Sequence, residues 1–227
     1  MHGYLQSCTR EYADLLRRAL TARSVRGLAA LSFSLFLVSA QALAQPASQR
    51  ALSKAECEGC GSWDAPKTLS WSGRIAPAGE PGILLVMSGT VYKPDGRTPA
   101  AGVLVYAYHT NAAGIYPPGG SGTGHAQRHG RLRGFVRTDS AGRYQFTTIR
   151  PAPYPNRGEP AHIHFTVTPP GGEERWIDSI EFDDDTLLTA AHRAGRQKLG
   201  GSGIVRVTAD RDGAQRATRN IVLETMR

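Results

Sequence analysis

From residue 83 onward the chain alternates between short apolar runs and turn residues. Ile83 to Tyr92 is almost continuously apolar or β-branched, Lys93-Pro94-Asp95-Gly96 has the composition of a turn, and Val103 to His109 resumes the strand character. The stretch from Gly130 reads as a strand, a turn at Asp139 to Gly142, and a second strand that places Tyr144, Phe146 and Thr148 on one face. Ile163, Phe165 and Val167 alternate with His162 and His164, the period of a half-buried strand. Trp176 to Phe182 is a further strand, Thr186 to Leu199 the best helix candidate, and Ile204 to Thr208 and Asn220 to Glu224 are late strands around the Asp210–Gly213 turn. Short strands divided by turns predict an all-β, two-sheet β-sandwich with one short C-terminal helix. About 145 residues from position 83 suffice for one buried core.

The N-terminal third departs from this pattern. Residues 45–82 read as an irregular arm carrying Cys57-Glu58-Gly59-Cys60. Residues 1–44 combine five arginines, an apolar run from Gly27 to Ala40, and a small-x-small site at Ala42 and Ala44. That is a secretory signal peptide, and its apolar run falls short of the ~20 residues a spanning helix needs, so no membrane anchor is expected. The mature chain is therefore expected in the periplasm or outside the cell, where Cys57 and Cys60 should form a disulfide. A lone CxxC cannot complete a four-ligand zinc site. The formal charge of +8 comes from 27 basic and 19 acidic residues, and the leader holds five and two of these, leaving +5. No basic patch interleaved with aromatics is present, so no nucleic-acid partner is expected.

Chemistry concentrates around His162 and His164. Side chains two apart on a strand share a face, so both imidazoles can meet at one point, and Pro153, Pro155 and Pro160 hold Tyr154 near the strand start. A second tyrosine, Tyr116, stands between Gly114 and Pro117-Pro118. An H-x-H pair alone is as often a surface pair as a metal site. Arg131 and Arg133 are also two apart and either present positive charge to an anionic aromatic substrate or are solvated. His109, His125, His129 and His192 lack paired spacing and read as loop or surface residues. Tyr106, Tyr108 and Tyr144 read as strand packing. The Gly-rich loop Pro117 to Gly130 is a candidate lid beside Tyr116.

Several pieces in order resemble the intradiol ring-cleavage dioxygenases, near the protocatechuate dioxygenase type: Gly89-Thr90-Val91, Asn111-Ala-Ala-Gly114-Ile-Tyr116, Thr138-Asp139 through Pro151, Tyr154-Pro155, and Pro160-Ala-His162-Ile-His164-Phe165. They cover roughly residues 82 to 190. The resemblance implies a non-haem Fe(III) held by Tyr116, Tyr154, His162 and His164, with Tyr154 and His164 axial. It implies a catecholic substrate and O₂ as partners, with the ring opened between the two hydroxylated carbons. Hard phenolate oxygens stabilise ferric iron, which agrees with that ligand set. A homo-oligomer stays open.

Two departures bear on turnover. Better-known members carry an arginine three residues before the first histidine, where this chain has Glu159; Arg157 lies two residues earlier and is the substitute candidate. The family glutamine after the histidines has no counterpart between Trp176 and Phe182. The rival readings are a metal-binding but inactive relative and a secreted prealbumin-like binding module, which shares the hairpins but needs no Tyr/His tetrad.

Overall fold

Ile163, Phe165 and Val167 on one side of a strand, with His162 and His164 on the other, divide the protein into a dry interior and a functional face. The computed structural model describes residues 57–225, all within one compact unit; the leader expected at 1–44 lies outside the described residues. Eleven strands form two sheets among the described residues. The first contains β1 (Ser72–Arg74), β5 (Arg143–Ile149), β2 (Leu84–Tyr92), β10 (Gln215–Thr218) and β9 (Val207–Ala209) in that order, with β11 (Ile221–Val222) also pairing β2. The second runs β4 (Arg133–Arg137), β3 (Leu104–His109), β6 (His162–Thr168), β7 (Arg175–Phe182) and β8 (Ile204–Val205).

The two sheets bury Leu85, Met87, Val91, Tyr144 and Phe146 against Val105, Ile163, Phe165 and Val167. Tyr144, Phe146 and Phe165 meet edge to face at 6.1–6.3 Å between ring centres, an arrangement that adds to the burial of their area. The expected sandwich is thus present. The turn at Asp139–Gly142 does not close a two-strand ladder, however. β4 pairs with β3 and β5 with β2, so this turn carries the chain from one sheet to the other.

Three further expectations change. The arm is not wholly irregular, since β1 pairs in parallel with β5. Arg131 precedes β4 rather than sharing a strand with Arg133, because its N–H is donated to the Pro117 carbonyl at 3.0 Å. The helix is shorter than 186–199 and spans Ala190–Gly195, here α1. Thr189 caps its start by accepting from the His192 N–H, and Arg196 is already extended at its end. Among the described residues no helix is long and apolar enough to cross a membrane.

Candidate active site

The functional face is the outer side of the second sheet. His162 and His164 project from β6, while Tyr116 and Tyr154 arrive on the loops that follow β3 and β5. These loops are fastened to each other. The Thr110 hydroxyl donates to the Ala152 carbonyl at 2.8 Å, and the Ala152 N–H donates to the Asn111 carbonyl at 3.1 Å. Gly114, at φ +76°, passes so close that a Cβ there would stand 2.0 Å from the Pro153 carbonyl oxygen. Only glycine fits both the backbone conformation and the gap.

The four side chains converge. The Tyr116 and Tyr154 hydroxyls are 2.5 Å apart. Tyr154 Oη is 3.2 Å from both His162 Nε2 and His164 Nε2, and the two Nε2 atoms are 3.1 Å apart. His162 Nδ1 lies 2.8 Å from the Pro160 carbonyl, which can only accept, so Nδ1 carries the hydrogen and a neutral ring points a lone pair from Nε2 into the cluster. His164 Nδ1 is 3.3 Å from Ser179 Oγ. Burial, reinforced by the neighbouring His162 imidazole, holds the His164 pKa well below the usual histidine range. His162 is thus set to offer Nε2 as an electron-pair donor, and the neutral His164 ring offers the same when Ser179 Oγ accepts from its Nδ1.

The phenols are pushed the other way. Burial raises the pKa of Tyr116, and its hydrogen bond with Tyr154 raises it further. Burial likewise raises Tyr154, assisted by Glu159, while the Tyr116 hydrogen bond and Arg157 oppose. Tyr154 Oη lies against both Nε2 atoms but has one hydrogen, and the Tyr116 hydroxyl faces Tyr154 instead, so one nitrogen is left without a phenolic donor. Metal–ligand bonds of about 2.1 Å give ligand–ligand separations near 3 Å, so the donor set fits a small cation. Among the described residues no group of three His, Cys, Asp or Glu comes together in this way; the cluster depends on its tyrosines.

The arginines are placed differently from one another. Arg131 forms a two-pronged pair with Glu80, and Arg133 pairs with Asp64 at 3.1 Å with its side chain buried. Both guanidinium groups are committed to anchoring the arm. Arg157 lies with its guanidinium carbon 5.5 Å from the Tyr154 ring centre. Asn156 and Gly158 on either side of it adopt φ +63° and +68°, a tight turn that returns the arginine to the cluster despite its displaced position in sequence. Glu159 is exposed and makes no hydrogen bond or ion pair among the described residues.

Support for the cluster comes from residues that sequence reasoning set aside. Tyr108 on β3 stands opposite His164 on β6. Its ring stacks on His164 at 4.5 Å and, on the other face, on His129 at 3.6 Å and 5°. His129 is buried: its Nε2 donates to the Glu58 carbonyl at 2.8 Å and its Nδ1 faces the Tyr106 hydroxyl at 2.7 Å. His109 is fully buried as well. Neither is a surface histidine: His109 ends a strand, while His129 does belong to the Pro117–Gly130 loop but is buried there, and neither joins the four converging side chains. His129 and its pairing to Glu58 also pin one end of the loop read as a lid. The Cys57–Cys60 disulfide closes the turn that presents Glu58. Glu174 then secures the next residues, accepting from the Gly61 and Ser62 N–H groups at 2.9–3.1 Å.

A family model described as Dioxygenase matches residues 72–224. Catechol 1,2-dioxygenase 2 of Acinetobacter lwoffii is 36% identical over 131 residues, covering 51% of this chain and 46% of that protein. The protocatechuate 3,4-dioxygenase beta chain of Burkholderia cepacia is 32% identical over 127 residues, covering 48% and 49%. The chain spans about half the length of these relatives. Among solved structures, catechol 1,2-dioxygenase from Pseudomonas arvilla C-1 superposes with a TM-score of 0.54 at 22% identity, covering 70% of this chain and 57% of that one. This last likeness is one of fold.

Proposed function

The chain belongs to the intradiol ring-cleavage dioxygenase family, and from that premise we propose that it opens a catecholic ring between its two hydroxylated carbons, using O₂ and non-haem Fe(III). The observation that carries the reading is the convergence of Tyr116, Tyr154, His162 and His164 within 3.2 Å. These four residues would hold the iron. When bound, ferric iron supplies the Lewis acidity that favours phenolate and catecholate and makes the latter reactive toward O₂.

The chain's own residues prepare that chemistry. The Pro160 carbonyl fixes the His162 tautomer, and the Tyr108 stack holds the plane of His164. Burial keeps both tyrosines protonated until a cation draws the protons from their hydroxyls. Arg157, over the Tyr154 ring, supplies positive charge beside the position where an anionic catechol would sit. The exposed Glu159 carboxylate works against anion binding and favours a second reading, a relative that binds metal without turnover. The buried Cys57–Cys60 disulfide supports a location outside the reducing cytosol.

The test is an iron assay and visible spectrum of the chain from Gln45, followed by addition of catechol with and without O₂. One iron per chain, a phenolate-to-iron band that shifts with catechol, and a ring-opened product with O₂ uptake are expected. Tyr116→Phe and Tyr154→Phe should each weaken iron binding or move the band. Unchanged iron content and spectrum in both variants would overturn the ligand assignment. A band shift without O₂ uptake would select the non-catalytic reading.

A further inference from the structure

A second feature adjoins the cluster through His162. Between β7 and α1 lies a cleft of about 280 Å³, lined by Glu159, His162, Trp176, Glu181, His192 and Arg196 together with neighbouring residues of the same segments. This is near the lower end of small-molecule sites and large enough for a ring substituent of several atoms. Trp176 gives it an apolar wall, more than a third of the residue being exposed. The disulfide turn backs that indole, since a Cβ on Gly59 would lie 3.1 Å from Trp176 Cδ1.

The charges along the cleft are unequal. Arg196 is held by Asp178 at 3.3 Å, by Glu181 Oε1 at 2.5 Å and by the Ser179 carbonyl at 2.6 Å. Its donors face the protein. His192 Nε2 also points to Glu181 Oε1, at 2.8 Å. A carboxylate entering the cleft would therefore find the Arg196 cation already engaged. One open acceptor remains. Glu159 stands exposed and makes no hydrogen bond or ion pair among the described residues, whereas the Glu181 carboxylate is buried and its Oε1 is already taken by Arg196 and His192.

We infer that the cleft receives the ring substituent of a catechol chelated at the tetrad, and that it selects a substituent carrying a positive charge or hydrogen-bond donor over one carrying a carboxylate. The inference rests on the catechol reading above. A protonated aminoalkyl arm can lie along Trp176 and place its N–H groups near the exposed Glu159 carboxylate. A carboxylate of the same length meets the like charge of Glu159 and only neutral donors in the lining, the Trp176 indole N–H and the Gln197 amide.

The experiment is an anaerobic titration of the iron-loaded chain, read as the shift of the phenolate-to-iron band. It uses unsubstituted catechol, 3,4-dihydroxyphenethylamine and 3,4-dihydroxyphenylacetate, the last two of similar size and opposite charge. The amine should bind at least about tenfold more tightly than the carboxylate, a difference of ~1.4 kcal/mol. Glu159→Gln should narrow that ratio at least threefold, and added salt should narrow it too, as expected for a partly exposed charge. If catechol itself leaves the band unmoved, the dioxygenase reading falls and the inference with it. If catechol binds while the amine and carboxylate bind equally, or Glu159→Gln leaves their ratio intact, the inference alone is overturned.

Discussion

Acidification should weaken the protein from within, through His109. This imidazole is fully buried at the end of β3, with Nδ1 2.7 Å from the Thr110 carbonyl and Nε2 2.6 Å from the Thr148 hydroxyl. The carbonyl can only accept, so Nδ1 carries the hydrogen and Nε2 accepts from Thr148. Burial lowers the His109 pKa from 6.5 to about 4, against the opposing pull of the Thr110 carbonyl and the Glu80 carboxylate. A histidine whose folded pKa is depressed contributes stability that is complete above its unfolded value and is lost as pH falls toward the folded one. The contribution is fully present above about pH 6.5 and disappears by about pH 4. At 1.36 kcal/mol per unit the whole drop amounts to about 3 kcal/mol, of which about 2 kcal/mol is lost between pH 7 and pH 5. That is a large fraction of a domain's stability. The strain would fall where Thr110 and Asn111 fasten the loops bearing Tyr116 and Tyr154. Urea unfolding of the metal-free chain at pH 7, 6 and 5 should be compared with His109→Gln, whose amide can donate and accept but does not titrate. The native chain should lose about 2 kcal/mol more than the variant across that interval. Equal losses would refute the assignment of the acid sensitivity to His109.

Two other substitutions probe how the site is assembled. Gly114→Ala forces a side chain into a φ +76° backbone and into the Pro153 carbonyl; it should cost at least ~2 kcal/mol and reduce iron affinity, read by thermal melting and metal titration, whereas Ala113→Ser on the exposed neighbour should do neither. Replacing Cys57 and Cys60 by serine opens a four-residue loop whose closure is worth roughly 2 kcal/mol; faster hydrogen exchange over residues 57–64 should follow, and unchanged exchange there would show that the contacts of Glu58, Asp64 and Glu174 hold the arm without the disulfide.

The readable parts of the chain are those where burial imposes a short period. On β6 the alternation of Ile163, Phe165 and Val167 with His162 and His164 announces both a strand and its two faces. The same holds for Tyr144, Phe146 and Thr148 on β5, all buried. The sheet to which each strand belongs is not local information. The Asp139 carboxylate closes the turn before β5 by accepting from the Ala141 and Arg143 N–H groups, and that turn serves equally well for a hairpin or a crossing. β10 was invisible because Gln215 and Arg216 give no apolar alternation; its strand character comes from parallel pairing with β2, far away in sequence. The helix was overestimated because nothing local reveals that Arg196 must turn toward Asp178 and Glu181. In the site, the spacing of His162 and His164 and the motif tyrosines were legible. Tyr108 and His129 were not, because their roles depend on strand register and on a carbonyl at Glu58, neither of which a side-chain pattern records.

These supports explain why half of the cluster sits on a strand and half on loops. β6 fixes the two imidazoles against its neighbours β3 and β7, and Tyr108 braces His164 from the side. The phenols need no such rigidity from regular structure, since their loops are stitched together at Thr110, Asn111 and Ala152 and interlocked at Gly114 and Pro153. Without a cation, however, the His162 lone pair, the His164 Nε2 and two raised-pKa phenols remain pressed together. A cation would relieve that crowding and tie both loops to the strand at once, so binding energy would appear partly as loop stability. The arm and its disulfide then act from the opposite side of the Tyr108 ring, which touches both His164 and Tyr116, so that they support the histidine and tyrosine halves of the cluster together.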